Sequence, residues 1–212
     1  MKKIMFNDKY GLTKAVLEGR KTQTRRIINP QPMYDENVGI CWKGYAYGIN
    51  FSGKEGAYNN FISGTEYDKS CKRYRVGEIV AVAQNYTACG GFMDDGTPRW
   101  DYISCIVGSK NRGWSNKMFV KPELMPHQIK ITNVRIERLQ DISDEDCLAE
   151  GIQIGQCGSA DTHFMDVYYI PNEIQPYCLP KDAYAALIDK VGKKGDWDSN
   201  PYVFVYDFEL IK

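Results

Sequence analysis

Hydrophobic and polar positions along this chain change period several times, and each change marks an element. Lys3 to Phe6 predicts a short strand. Asn7 or Asp8 then offers a side-chain acceptor for the free N–H groups of a helix start. Leu12, Ala15 and Val16 follow at helical spacing. Gly19 suits the end of that helix, because glycine takes the left-handed conformation at little cost. Arg20 to Ile28 has the Thr and Ile content of an extended segment. After the turn Val76-Gly77-Glu78, the apolar run Ile79 to Ala83 reads as a strand buried on both faces. Ile129-Lys130-Ile131 alternates, and Val134 and Ile136 continue in the opposite phase. A bulge near Thr132-Asn133 accounts for the change. Ser143 with Asp146 three residues on forms a capping box, opening a short helix through Leu148 and Glu150 that stops at Gly151. Ala183 to Val191 predicts a further helix, with Gly192 beyond its end. Pro201 precedes a strong last strand from Tyr202 to Leu210.

Three stretches break this pattern. Residues 29–70, 87–126 and 152–180 carry the Pro, Gly and Asn content of irregular insertions. Several strands, few short helices and no regular strand–helix alternation point to the α+β class, as a small β-barrel with short flanking helices and long loop insertions. The whole chain, 1–212, reads as a single domain without internal repeats.

Composition narrows the function. At 43% hydrophobic and 25% charged residues, the chain has the make-up of an ordinary soluble domain. Its 27 basic and 27 acidic residues cancel, which argues against a strong non-specific duplex binder. A local basic groove stays open, because Arg20, Lys21, Arg25 and Arg26 cluster, as do Lys110, Arg112, Lys117 and Lys121. The seven cysteines are odd in number and include no C-x-x-C, so neither a disulfide framework nor a zinc site is expected. Cys157 and His163 make a metal pair on paper only. Reduced thiols, no leader-like apolar run and no segment of membrane-spanning length lead to the expectation of a cytoplasmic protein without membrane contact, metal or cofactor.

The chemistry concentrates in Gly19-Arg20-Lys21-Thr22-Gln23-Thr24-Arg25-Arg26, which reads G-x-K-x-x-T-x-R. On a strand, Thr24 and Arg26 share one face, and a loop can return the Lys21 amine to it. A hydroxyl, an amine and a guanidinium together can hold a phosphate or a carbonyl oxygen. They can also do nucleophilic chemistry if burial makes the lysine neutral enough to take the threonine proton. The competing reading is a basic edge strand with solvated side chains.

This motif after a first short helix resembles that of ASCH domains, of the PUA-like class. Tyr74 to Val82 resembles the family's glycine turn and barrel strand. Ile131 to Ser143 resembles the next strand and the start of its helix in phage-type members, and Trp197 to Pro201 their closing segment. The resemblance covers both ends of the chain but not the three insertions. It implies a PUA-like barrel with a positively lined cleft for RNA or a nucleotide or modified nucleoside. Gly19, Arg25, Arg26 and Gln84 are the ligand-binding residues it implies. A bacterial branch of the family removes the acyl group of N4-acetylcytidine. Lys21, Thr24 and Glu150 match its lysine, threonine and glutamate in order, as base, nucleophile and support, with Arg26 near the oxyanion. Two features depart from the pattern: Gln84 stands where many phage-type relatives carry Glu, and this chain is longer than the compact amidohydrolases.

Aromatic residues add a second layer. Tyr45, Tyr47, Phe51 and Tyr58 lie in the first insertion, and Trp100, Trp114 and Phe119 in the second, near Lys117 and Lys121. Such interleaving serves either single-strand stacking or the pinning of loops. Three functions follow: a non-catalytic RNA or nucleotide cleft, an amidohydrolase of N4-acylated cytidine, and, more remotely, a ribonuclease. Neutral net charge limits RNA affinity to a modest, salt-sensitive level.

Overall fold

Backbone hydrogen bonds sort the described residues into one large mixed sheet and two small ones. The computed structural model describes residues 1–35, 39–42, 45–46, 73–159 and 162–211. The large sheet contains β1 (Lys2–Ile4), β2 (Gln23–Ile27), β6 (Ile79–Val82), β7 (Gln128–Arg138) and β11 (Tyr202–Leu210), in the order β1-β6-β7-β11-β2. All neighbours are antiparallel except β1 and β6. A three-stranded sheet holds β8 (Gln153–Ser159), β9 (Thr162–Tyr169) and β10 (Pro176–Tyr177), and another β3 (Met33–Asp35), β4 (Gly39–Trp42) and β5 (Tyr45–Ala46). Four α-helices accompany them among the described residues: α1 (Leu12–Leu17), α2 (Arg99–Val107), α3 (Asp144–Ala149) and α4 (Pro180–Val191). The architecture is α+β.

The two edges of the large sheet approach each other. Arg26, on edge strand β2, donates to the carbonyl of Met5, just beyond edge strand β1, at 2.6 Å. Phe6, after β1, packs against Phe208 of β11 with ring centroids 5.7 Å apart. Strand β6 is buried on both faces because two cores flank it. Val80 and Val82 belong to the main core with Ile129, Ile131, Val203 and Tyr206. Ala81 and Ala83 face a second cluster with Tyr86, Ile103, Val120 and Met125. Ile79, at the strand's start, is 44% exposed. The bulge in β7 is present: Asn133 pairs with Asp207 and Ile131 with Phe208, so Thr132 is the extra residue.

Some expectations need correction. α1 starts from Gly11 in the left-handed region, without a side-chain cap. Asn7 and Asp8 instead build the preceding turn, where Asn7 accepts from the Lys9 and Leu12 amides and Asp8 from the Gly11 amide. The stretch 87–126 contains α2 and supplies Cys89, Ile103, Val120 and Met125 to the second core. Only Ile103 of α2 is buried, so its apolar stripe is too weak to register as a period. Gly113 permits a close approach there, since a Cβ would stand 2.4 Å from the Tyr86 ring. The stretch 152–180 forms the β8–β9 hairpin and β10. Ile154, Phe164 and Met165 are all exposed, so that hairpin lacks the in–out alternation that marks a half-buried strand.

Of the aromatic layer, Tyr47, Phe51 and Tyr58 lie outside the described residues, and Tyr45 is described only as backbone of β5. Trp114 packs edge-on against Tyr86, whereas Trp100 and Phe119 are exposed. No helix among the described residues is long and apolar enough to cross a membrane.

The Ser143 cap forms, while the Asp146 carboxylate bonds Gln23, Arg25 and Arg135. Ser143 Oγ accepts from the Asp146 amide at 3.1 Å, and α3 ends at Glu150 before Gly151 in a positive-φ conformation. Ser143→Ala should therefore lower stability by about 1 kcal/mol, read as a drop in the urea midpoint at unchanged slope.

Candidate functional site

Helix α3 delivers Glu150 to the edge of the large sheet. The Thr22 amide donates to the Ala149 carbonyl at 2.9 Å, and the Phe208 amide to the Thr22 carbonyl at 2.8 Å. These bonds lock the helix end against the start of β2. Upstream, Gly19 turns the chain out of α1 at a φ of 72°. Arg20 and Lys21 then both donate their amides to the Ala15 carbonyl. The Lys21 side chain is thus sent into the protein and not along the surface.

Lys21 meets Glu150 there. Its ammonium donates to Glu150 Oε2 at 2.5 Å and to the Glu150 carbonyl at 2.6 Å. The two side chains are 2% and 5% exposed. An ammonium has three N–H groups, so one remains for another partner. Burial pushes the Lys21 pKa down, the Glu150 charge and hydrogen bond pull it back up, and Arg26 and Arg25 push it down again; the balance lies below the ordinary 10.5.

Strand alternation divides the rest of the motif. Thr24 and Arg26 lie on one face, opposite Tyr206 and Phe204 of β11. Both line a cavity of about 60 Å³ with Lys21, Glu150, Phe6 and Tyr184. A water needs roughly 10–15 Å³, so the cavity takes a small acyl or amide group and not a whole nucleoside. Thr24 is buried, and its hydroxyl makes no hydrogen bond to a described residue. The cationic ends of Lys21 and Arg26 each lie 5.8 Å from the Phe6 ring centre. Burial lowers the Arg26 pKa, although a guanidinium stays charged.

Gln23 and Arg25 alternate with Thr24 and Arg26 along β2 and enter a charge network beside the cavity, whose lining Arg25 also joins. Arg25, with 1% of its side chain exposed, bonds Glu137 at 2.6 Å, Asp146 at 2.8 Å and Glu150 at 3.3 Å. It also donates to Gln23 Oε1. Desolvation alone would lower its pKa, but Glu150, Tyr184, Glu137 and Asp146 together raise it. Arg135 joins Glu137, Asp146 and Asp207 from β7. Glu150 is shared: one carboxylate oxygen serves Lys21 and the other Arg25. The network therefore aims the carboxylate at the lysine.

Asp146 reports on this network. Partial burial pushes its pKa up, but hydrogen bonds from Arg25 and Gln23 and the charges of Arg25 and Arg135 outweigh that, leaving it below the ordinary 3.8. The folded state then binds this proton less readily than the unfolded one. Its stabilising contribution should be complete above pH 3.8 and lost as pH falls through the depressed folded value. Melting temperatures across acid pH test this: Asp146→Asn should flatten the fall below pH 3.8.

Lys21, Thr24, Arg26 and Glu150 come together around one cavity. Arg25 lines the same cavity and also holds Glu150. Gly19 is exposed, and a Cβ there would meet nothing within 4 Å; it shapes the chain and does not line the Lys21 cavity. Gln84 lies in a different cavity, beside Asp8, Thr13 and Asn172. The wall supplied by α4 had no functional signal in the sequence. Tyr184, Leu187, Ile188 and Val191 have helical spacing and read as core. The Tyr184 hydroxyl is buried without an aligned hydrogen-bond partner. Desolvation first, and then the Glu150 charge, raise its pKa well above 10. Among the described residues, no group of three His, Cys, Asp or Glu side chains is arranged to hold a metal ion. In comparisons with known proteins, no family model, no curated protein and no solved structure matches this chain.

Proposed function

We propose that the chain is an ASCH-type domain of the PUA-like class, and that the Lys21 cavity hydrolyses the acyl amide of an N4-acetylcytidine-like nucleoside. The observation that carries this reading is the buried Lys21–Glu150 pair, enclosed with Thr24 in one cavity. The barrel reading draws support from the way the edge strands of the sheet meet through Arg26 and Met5.

Thr24 Oγ attacks the acyl carbonyl, and its proton passes to the Lys21 amine. The lysine is available because burial disfavours its charged form. Arg26, on the same strand face as Thr24, faces the charge that develops on the carbonyl oxygen. The exocyclic nitrogen leaves with the proton from Lys21, and a water activated by the Lys21–Glu150 pair releases acetate from Thr24. A cavity of about 60 Å³ admits the acyl end, so the sugar and most of the base remain outside it.

A second reading rests on the hydrogen bonds themselves. Two of the three Lys21 N–H groups are already spent on Glu150, which suits a cleft that holds RNA or a nucleotide without reacting. Incubating the protein with N4-acetylcytidine separates the two. Chromatographic appearance of cytidine and acetate, lost in Lys21→Met and in Glu150→Gln, is the expected result. An intact protein with no turnover overturns hydrolysis and leaves the binding reading.

A further inference from the structure

The sheet of β8, β9 and β10 ends in an open edge. Its order is β10-β9-β8, and no described strand pairs with the far side of β8. On the other side, β10 reaches only Tyr168 and Tyr169 of β9. Beyond Val167 the sheet is therefore a ribbon two strands wide, from Gly155 and Val167 to Ser159 and Thr162.

The side chains of this ribbon are uncovered too. Val167 is buried at its base, but Ile154, Phe164 and Met165 are each more than half exposed. Gln156, Cys157, His163 and Asp166 are exposed beside them. A two-stranded ribbon standing alone is marginally stable in water. Unpaired backbone N–H and C=O groups next to exposed apolar side chains are what a strand of another chain pairs with.

Natural sheets usually block such an edge with charge, proline or a bulge. The bulge of β8 sits at its far end. The register with β9 is regular from Gln153 to Cys157 and shifts between Cys157 and Ser159. Gly158 lies at the shift with a φ of 145°, where a Cβ would stand 2.8 Å from the His163 carbonyl oxygen. The regular run, Gln153-Ile154-Gly155-Gln156-Cys157, has neither charge nor proline, so nothing guards it.

Charge selects the occupant. The described residues of β8 and β9 include one acid, Asp166, and no lysine or arginine, so the ribbon offers nothing to phosphates. An uncharged run lies against its own copy without like-charge repulsion. Antiparallel pairing about a two-fold axis is self-complementary and closes at two copies. Parallel stacking would leave an edge for every further copy.

We infer that β8 is the interface of a symmetric dimer, in which Gln153–Cys157 pairs antiparallel with the same run of a second copy. The two three-stranded sheets become one continuous sheet. Pairing over the whole run puts Gly155 at the axis. Tyr169 covers Gly155 from its own chain, since a Cβ there would stand 2.9 Å from the Tyr169 ring. Gln153 then faces Cys157 of the second copy, and Ile154 faces Gln156. The two Ile154 side chains become diagonal neighbours on one face. This inference is independent of the chemistry at Lys21.

Sedimentation velocity of the full chain over a concentration series tests it, and should show a reversible monomer–dimer equilibrium. Ile154→Lys combined with Gln156→Lys should weaken the dimer by about tenfold or more, because the axis then gathers four like charges. Both positions are exposed, so this variant should melt as the parent does at dilutions where both are monomers. Hydrogen exchange across Gln153–Cys157 should slow with rising concentration in the parent and not in the variant. Gln153→Cys under diamide should cross-link as a dimer through Cys157, and should not once Cys157→Ser is added. A parent that stays monomeric up to about 1 mM overturns the inference and leaves the edge to a strand of another protein. So does a dimer undiminished by Ile154→Lys with Gln156→Lys, or cross-linking that survives Cys157→Ser.

Discussion

Thr24→Val should abolish amide hydrolysis and leave the fold in place. Valine keeps the shape and the branching that β2 requires, opposite Tyr206 in the register. The lost hydroxyl makes no hydrogen bond to a described residue, so no buried group is left unpaired. Stability should change by less than about 1 kcal/mol. If the hydroxyl is the nucleophile, turnover should fall by about 10⁴-fold or more, because removing one member of such a unit disables the whole. Rate measurements on N4-acetylcytidine beside a thermal melt provide both readouts. Thr24→Ser should retain part of the rate. A Thr24→Val enzyme with a tenth of the parent rate would move the attack to water, with the Lys21–Glu150 pair as base. This variant is more informative than Glu150→Gln, which also removes a counter-charge from Lys21 and Arg25.

Arg25→Met should be the most destabilising single change near the cavity. Arg25 is almost fully enclosed and holds Glu137, Asp146 and Glu150 at once. Removing one side of a buried ion pair leaves the other charge uncompensated, at about 3–5 kcal/mol. Domains of this kind have about 5–15 kcal/mol in total, so the variant should lose a large share of its urea resistance. Arg135 still serves Glu137 and Asp146. Glu150 keeps only Lys21, and its aim relaxes. The deficit should narrow below pH 3.8, where the parent also loses the contribution of Asp146 as that group takes up its proton. A loss under 1 kcal/mol by urea titration would show that water screens the network as it screens surface pairs.

The local elements were legible because each has a short-range cause. Ser143 announces α3 through one side-chain acceptor, and Thr132 announces the bulge through a change of phase. The shared face of Thr24 and Arg26 follows from strand geometry alone. Elements without a local signature were not legible. α2 buries only Ile103, and the β8–β9 hairpin leaves Ile154, Phe164 and Met165 exposed, so neither imposes a period on the sequence.

By itself, then, the sequence singled out Lys21, Thr24, Arg26 and Glu150 as candidates and fixed the strand face that Thr24 and Arg26 share. The tertiary structure decided what surrounds them. It turned Lys21 inward to a carboxylate 129 positions away. It put Arg25 behind that carboxylate and closed the cavity with Tyr184 of α4. It also moved Gln84 away from the motif, into a cavity of its own. The physical reason is range. Periodicity and capping act over a few residues, whereas burial and charge pairing act between segments that only the folded chain brings into contact.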